Sequence, residues 1–128
     1  MTVQVVTFFN NKGGIGKTSL VYHVAWMLAV LGHRVVAADL DPQANLTSAF
    51  LDEEQVENLW SGHRRTVWGA IEPIHEGSGP IGDAEMTKTL DDRLVLLPGD
   101  LALSAFEDDL SSEWLSCLGG RPRSFRIV

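Results

Sequence analysis

The sequence is poor in cysteine, in basic residues and in long apolar runs. Its single cysteine, Cys117, excludes an internal disulfide framework and cannot build a metal cluster by itself. The longest helical apolar run, Leu20 to Leu31, is too short to span a bilayer. Lys and Arg number 10 against 17 Asp and Glu, which gives a net charge of −7. Nucleic-acid-binding domains typically carry an excess of basic residues, so this charge argues against nucleic-acid binding by the chain itself. We therefore expect a cytoplasmic chain with no membrane partner, and any DNA contact would come from regions outside it.

What the sequence does contain is typical of one globular domain of the α/β class. The chain has 128 residues, of which 45% are apolar, enough for a core. Val3 to Phe9 is a β-branched and aromatic run that predicts a buried parallel strand. Apolar residues at helical spacing from Ser19 predict a helix that Gly32 ends, and Arg34 to Asp39 predicts a second strand. Strand, helix and strand would form a right-handed βαβ unit, so the loops after both strands should share one edge.

The remaining pattern is weaker but still alternates between helix and strand. It predicts short helices at Leu46–Phe50, Gln55–Trp60 and Thr66–Ile71, the last ended by Pro73, then an exposed loop over Glu72–Asp83 and a third strand at Arg93–Leu97. Asp100 could cap a last helix. That helix would turn Leu103, Phe106 and Leu110 inward and Glu107, Asp108 and Asp109 outward.

The most informative segment is a glycine-rich loop between the first predicted strand and helix. Polyphosphate needs many short-range donors, which converging backbone N–H groups and a helix N-terminus supply. Lys17 would bridge the β- and γ-phosphates, and the Thr18 hydroxyl could bind a phosphate-bound Mg²⁺. The predicted nucleotide-binding residues are Asn11, Lys12, Gly13, Gly14, Ile15, Gly16, Lys17, Thr18 and Ser19.

A second constellation, Asp39 to Asn45, follows the second predicted strand. Strand alternation places Asp39 and Asp41 on one side, and the βαβ geometry brings them toward the loop. One carboxylate could hold Mg²⁺ or its waters, and the other could orient an attacking water. Taken alone, such a run is more often a strand end followed by a proline turn, and its occurrence beside the loop is what favours a functional role.

The two motifs together resemble a known family. Position 11 is asparagine where the general pattern G-x-x-x-x-G-K-[ST] has glycine, but Lys12 to Thr18 matches the deviant Walker A motif of the ParA/MinD group of ATPases at every position. Asp39 to Gln43 resembles the D-x-D-P-Q motif of its ParA/Soj branch. The resemblance implies a P-loop fold of the deviant Walker A (SIMIBI) type, a mostly parallel sheet flanked by helices, with ATP and Mg²⁺ as ligands.

The resemblance also implies roles for individual residues. Lys12 would reach phosphates bound by the other subunit of an ATP-sandwich dimer, and Lys17 would hold the phosphates of its own subunit. Asp41 would position the attacking water. Asp39 would support magnesium together with Thr18. The catalytic candidates are therefore Lys12, Lys17 and Asp41, and the metal candidates are Thr18 and Asp39.

By the same resemblance, residues 1–128 would be the N-terminal part of a ParA-like domain, because no Walker B strand can be found in them. The implied function is an ATP-hydrolysing, dimerising switch in plasmid or chromosome partition, with a ParB-like activator and nonspecific DNA binding outside this chain, which would make the protein nucleoid-associated. Two alternatives stay open. One is a metabolic phosphotransferase or ligase on the same fold, and the other is a truncated, non-hydrolysing interaction module.

Overall fold

The computed structural model describes residues 3–10, 12–61, 65–89 and 91–118. The described residues contain both helices and strands, as the sequence pattern predicts. In chain order the elements are α1 (Lys17–Val30), β1 (Val35–Ala38), α2 (Asn45–Phe50), α3 (Glu53–Trp60), α4 (Val67–His75), β2 (Thr87–Lys88), β3 (Leu94–Leu97) and α5 (Leu103–Leu118).

A three-stranded sheet with the order β1-β3-β2 forms the centre of the described structure. β1 and β3 are parallel, with Val35 opposite Leu94 and Ala38 opposite Leu97, and the short β2 runs antiparallel to β3. The connection from β1 to β3 contains α2, α3 and α4, which is the crossover that parallel strands require. An α/β fold with a parallel strand pair is thus confirmed.

The main core packs this sheet against α1, with further buried side chains from α2 and α3. Leu94 and Leu96 on β3 are completely buried, and Ala25 and Ala29 of α1 are buried in the same cluster. The two alanines are four residues apart and therefore lie on one face of the helix, where their small side chains allow close packing. A second cluster around Val67, Trp68 and Leu103 joins α4 to α5.

The predicted first strand, Val3 to Phe9, does not form. Residues 3–10 lie outside any helix or strand, and Val3, Val5 and Phe9 are each more than 80% exposed. β-branched residues favour extended backbone, but a strand is stabilised only when a neighbour takes up its N–H and C=O groups. No described strand pairs with this segment, so the sequence preference alone does not make a strand of it. The parallel partner of β1 is β3 instead.

The predicted end of α4 at Pro73 is also wrong, because the helix continues to His75. A proline removes its own N–H bond and crowds the turn before it, but the turn that follows is closed by other bonds. The N–H of Glu76 donates to the Glu72 carbonyl, and the Pro73 carbonyl accepts the N–H groups of Ser78 and Gly79. The predicted loop over Glu72–Asp83 consequently starts later, at the end of α4.

The prediction that Asp109 faces outward is wrong as well. Its Oδ2 lies 2.6 Å from Nδ1 of His75, so the two half-buried side chains join α5 to α4. Asp109 follows Phe106 by three residues and so shares its face of α5. The other predicted faces hold: Leu103 is buried, and Glu107 and Asp108 are exposed. In the described residues, no helix combines the length and apolar character needed to cross a membrane.

The central position of β3 leads to a first prediction. Leu96→Ala should lower the free energy of unfolding by about 2–5 kcal/mol, because it leaves a cavity at a side chain with no exposed surface. Leu101→Ala is the matched control, since Leu101 is 56% exposed and should lose less than about 1 kcal/mol. Urea denaturation of the two variants beside the unaltered protein measures both values. Equal losses at the two positions would contradict the assigned core.

Candidate functional site

The glycine-rich loop has the backbone that a phosphate-binding turn requires. Residues 12–16 form a turn that runs directly into α1. Gly14 and Gly16 have φ angles of 74° and 83°, in the left-handed region where a side chain would be strained. A Cβ placed on Gly13, Gly14 or Gly16 would meet no atom within 4 Å, so the space above the loop is open to a ligand.

The first turn of α1 is suited to an anion. Gly16 is the N-cap, and no side chain caps the helix there. The first turn also contains no acidic residue. The first N–H groups of a helix have no intrahelical acceptor and carry the positive end of the helix dipole, so they attract phosphate oxygens.

An open cleft of about 560 Å³ adjoins the loop. It is lined by Gly14, Gly16, Thr18, Ser19, Tyr22 and Ala49. The Tyr22 ring packs on Phe50, with centroids 4.7 Å apart, and thereby joins this wall of the cleft to α2. Tyr22 was not predicted from the sequence, although its spacing of four residues from Thr18 places both on one face of α1.

The second predicted motif, Asp39 to Asn45, contacts the glycine-rich loop and α1 through one ion pair. Nζ of Lys17 lies 3.1 Å from Oδ2 of Asp41, and each side chain is about one third exposed. The Gln43 N–H donates to Oδ1 of Asp41 at 3.0 Å. The Gln43 N–H, with a smaller contribution from Lys17, holds the pKa of Asp41 below its ordinary value of 3.8, against the opposing effect of partial burial. The predicted proximity of the two motifs is therefore confirmed, although the first strand is absent.

Asp39 lies at the same sheet edge but is oriented toward α2. The residue is buried, and its Oδ2 accepts two hydrogen bonds from Thr47, one from the backbone N–H and one from the hydroxyl, each at 2.8 Å. Its Oδ1 accepts the N–H of Asp41 at 3.3 Å. Thr47 was missed by sequence reasoning, because its spacing of eight residues from Asp39 carries no motif signal.

The other predicted residues of the loop are at the surface. Lys12, Gly13, Ile15 and Ser19 are exposed, whereas Lys17 and Thr18 are half-buried. The N–H of Lys12 donates to Oδ1 of Asn10 at 2.7 Å. Asn11 lies outside the described residues. The individual roles predicted for these side chains remain predictions.

The side chains at this site could hold magnesium only if a bound phosphate supplied most of the metal ligands. In the parts of the chain that the structure describes, no three His, Cys, Asp or Glu side chains are grouped so that they could hold a metal. Mg²⁺ commonly keeps several waters and binds through substrate phosphates and one or two protein oxygens. The Thr18 hydroxyl at the cleft fits that pattern. Both Asp39 oxygens already accept protein hydrogen bonds, so its predicted metal role remains a prediction.

Comparison with known proteins identifies relatives of this arrangement. A family model described as "AAA domain" matches residues 3–117. The chromosome partitioning protein ParA of Caulobacter vibrioides is 32% identical over 108 residues, which cover 84% of this chain and 36% of the relative. A crystal structure of a Corynebacterium diphtheriae protein superposes with a TM-score of 0.83 at 38% identity, covering 94% of this chain and 43% of that one.

A more distant structure is an enzyme. Cobyrinic acid a,c-diamide synthase from Mycobacterium smegmatis, solved with bound ADP and magnesium, has a TM-score of 0.56 and 28% identity. The match covers 80% of this chain and 37% of the synthase. The fold shared by these proteins accommodates both partition proteins and metabolic enzymes, so the fold alone does not select between them.

The parallel β1–β3 pair, the glycine-rich loop and the helix that follows it define an α/β protein of the P-loop class. More particularly, the chain belongs to the AAA domain family, and over most of its length it is similar to a chromosome partitioning protein ParA. It spans between a quarter and about a third of the length of the curated relatives that match most of it.

The Lys17–Asp41 pair generates a prediction about nucleotide affinity. If Lys17 binds the phosphates, as predicted, a triphosphate has to draw Lys17 away from Asp41. Asp41→Asn should then tighten binding of a nonhydrolysable ATP analogue about two- to fivefold, as expected for a partly exposed pair. Because the pKa of Asp41 is lowered, its carboxylate stays charged at every pH well above 3.8. The gain should therefore be equal at pH 5.5 and pH 8.

Isothermal titration calorimetry on the full-length protein measures this effect. Asp92→Asn serves as the control, because it removes one charge at an exposed position outside the site. Unchanged or weaker binding in Asp41→Asn would show that Asp41 does not compete with phosphate for Lys17.

Proposed function

We propose that this chain supplies the phosphate-binding part of a ParA-type ATPase, in which ATP and Mg²⁺ close a homodimer and hydrolysis reopens it. The observation that carries the proposal is the meeting of Lys17 and Asp41, 3.1 Å apart, beside the open glycine-rich loop. The remaining parts of the metal site and the adenine pocket belong to other residues of the full-length protein. Residues 1–128 are then the N-terminal portion of one nucleotide-binding domain.

In this function Lys17 transfers its contact from Asp41 to the β- and γ-phosphates. The first N–H groups of α1 donate to the same phosphate oxygens, and Gly13, Gly14 and Gly16 leave room for them. Thr18 would contribute its hydroxyl to Mg²⁺, and Asp39 would support that site from the end of β1. When bound, the ion neutralises charge that develops on the phosphate oxygens.

Asp41 orients the attacking water in this mechanism. Water adds to the γ-phosphorus as the bond from that phosphorus to the β–γ bridging oxygen breaks, which gives ADP and inorganic phosphate. A carboxylate with a lowered pKa is a weak base, so Asp41 is better suited to accept a hydrogen bond from the water than to remove its proton early. Release of Asp41 from Lys17 by incoming phosphate would make the carboxylate available for this task.

In the proposed dimer, Lys12 provides a contact between its own subunit and the nucleotide bound by the other subunit. Its side chain is exposed and, within the described residues, has no ion pair that would hold it to its own subunit. A lysine in this state can reach phosphates bound by the other subunit. The triphosphate then favours the dimer because it binds the dimer better than it binds separated monomers.

The proposed cellular role is plasmid or chromosome partition, or similar intracellular positioning. The relative from Caulobacter vibrioides is a chromosome partitioning protein, which supports this role. A ParB-like protein would stimulate hydrolysis. With a net charge of −7, this chain is a poor DNA ligand, so nonspecific DNA binding and nucleoid association would depend on residues outside it.

A second candidate is a metabolic ligase or phosphotransferase. The similarity to a cobyrinic acid a,c-diamide synthase with bound ADP and magnesium favours it. Such an enzyme would turn over ATP only when its small-molecule acceptor is present, whereas the proposed switch hydrolyses ATP without one. A steady-state ATPase assay of the full-length protein without added metabolites separates the two functions.

Removal of Lys17, the lysine proposed to bind the β- and γ-phosphates, tests the assignment of the nucleotide site. Lys17→Ala should weaken ATP binding about a hundredfold, because it deletes the charge seated on the phosphates. Arg34→Ala removes an exposed cation outside the site and should bind ATP normally. Fluorescent-nucleotide titration measures both, and undiminished binding in Lys17→Ala would refute the site assignment.

Removal of Lys12 tests whether ATP-dependent dimerisation uses this lysine. Lys12→Ala should bind ATP as tightly as the unaltered monomer but lose the ATP-dependent dimer, since the contact across the interface is gone. Multi-angle light scattering with and without a nonhydrolysable ATP analogue measures the mass, and Arg34→Ala should still dimerise. A full ATP-dependent dimer in Lys12→Ala would contradict the role given to this lysine.

A further inference from the structure

Thr47 occupies an unusual position beside the proposed site. It lies on α2, has no exposed surface and makes three hydrogen bonds to Asp39 and Gly99, which follow β1 and β3. Its backbone N–H and its hydroxyl both donate to Oδ2 of Asp39, and its Oγ1 accepts the N–H of Gly99 at 2.8 Å. One hydroxyl therefore joins the end of β1 to the end of β3.

The connection continues from Thr47 to the proposed catalytic groups. Oδ1 of Asp39 accepts the N–H of Asp41, and the Asp41 carboxylate contacts Nζ of Lys17. The Asp41 backbone is thus held by a carboxylate whose own orientation depends on Thr47. A chain of hydrogen bonds runs from Gly99 through Thr47, Asp39 and Asp41 to Lys17.

Close packing leaves the Asp39 carboxylate little freedom to find another arrangement. A Cβ on Gly99 would lie 3.0 Å from Cγ and 3.1 Å from Oδ2 of Asp39, so the Gly99 backbone is packed against this side chain. Gly99 is held by a second contact, because Nε1 of Trp60 donates to its carbonyl at 3.3 Å. A rotation of Asp39 would break its hydrogen bonds to Thr47 and Asp41, and a buried carboxylate that loses a donor is costly.

From these contacts we propose that Thr47 is a positioning residue for ATP hydrolysis, which sets the orientation of Asp41 through Asp39. The inference rests on the proposed function. Thr47 lines no part of the cleft described above and touches none of the reacting atoms, so it acts on turnover rather than on nucleotide affinity. Its loss shifts the backbone that carries Asp41, and a misplacement of about 1 Å in a catalytic group can cost about a hundredfold in rate.

The test compares two threonines of the same chemistry. Thr47→Val removes the hydroxyl and keeps the shape of the side chain. Thr66→Val is the matched control, because Thr66 is also completely buried and donates from its hydroxyl to a carboxylate, Oδ2 of Asp100, at 2.9 Å. That second pair has no hydrogen bond to Asp41 or Lys17 among the described residues.

The measurements are kcat, the Kd for a nonhydrolysable ATP analogue and the thermal unfolding temperature of the full-length protein. Thr47→Val should lower kcat about ten- to hundredfold and change Kd less than about twofold. Thr66→Val should lose a comparable amount of thermal stability and keep its kcat. Thr47→Ser, which restores the hydroxyl, should recover most of the lost rate.

Several results would overturn the inference. These are an unchanged kcat in Thr47→Val, an equal loss of kcat in Thr66→Val, or failure of Thr47→Ser to recover rate in a folded protein. If Thr47→Val does not fold, Thr47→Ser and Thr66→Val provide the test instead. The inference requires a near-normal kcat from both variants, and a large loss of kcat in either folded variant would overturn it. An unaltered protein that hydrolyses no ATP would instead overturn the proposed function, which distinguishes the two failures.

Discussion

The parallel pairing of β1 with β3 is the constraint on which the rest of the arrangement depends. Parallel strands end at the same edge of a sheet, so this pairing brings Asp39, which follows β1, next to Gly99, which follows β3. Leu94 and Leu96 fix β3 in the core, because a register slip of one residue would turn both side chains out of it. The polar groups at the edge are therefore held by the apolar packing beneath them.

That edge also explains how buried carboxylates are tolerated in a small domain. Asp39 and Asp100 are each only 3% exposed, and each accepts a hydroxyl from a completely buried threonine as well as a backbone N–H. Burial of a carboxylate without hydrogen-bond donors would be strongly unfavourable, and these hydrogen bonds give the oxygens of both side chains the partners that water would otherwise provide. The threonines thus allow acidic residues to lie inside the fold, close to the proposed phosphate site.

Much of this could be predicted from the sequence, and the failures have identifiable physical causes. The glycine-rich loop, α1, β1, β3 and the approach of Asp41 to Lys17 follow from short-range patterns and from the geometry of strand ends. The strand expected at Val3–Phe9 would need a second strand to take up its backbone hydrogen bonds, and the sequence of residues 3–9 cannot show whether such a partner strand is present. The contacts of Thr47 and the His75–Asp109 pair join residues from different elements, and periodicity within one element cannot anticipate them.

The two lysines of the loop differ in a way that suits them to different tasks. Lys17 is half-buried and already paired with Asp41, so a phosphate that binds it must replace an existing interaction, and part of the attraction is offset by that loss. Lys12 is exposed, and within the described residues its side chain is not paired, so it can contact an anion without such a loss. A free, solvated lysine gains little from a single phosphate in water, because screening weakens the contact. Its contribution becomes large only where a partner surface excludes water around it, as in the proposed dimer. The paired lysine thus suits recognition of the nucleotide, and the unpaired one suits detection of a second subunit.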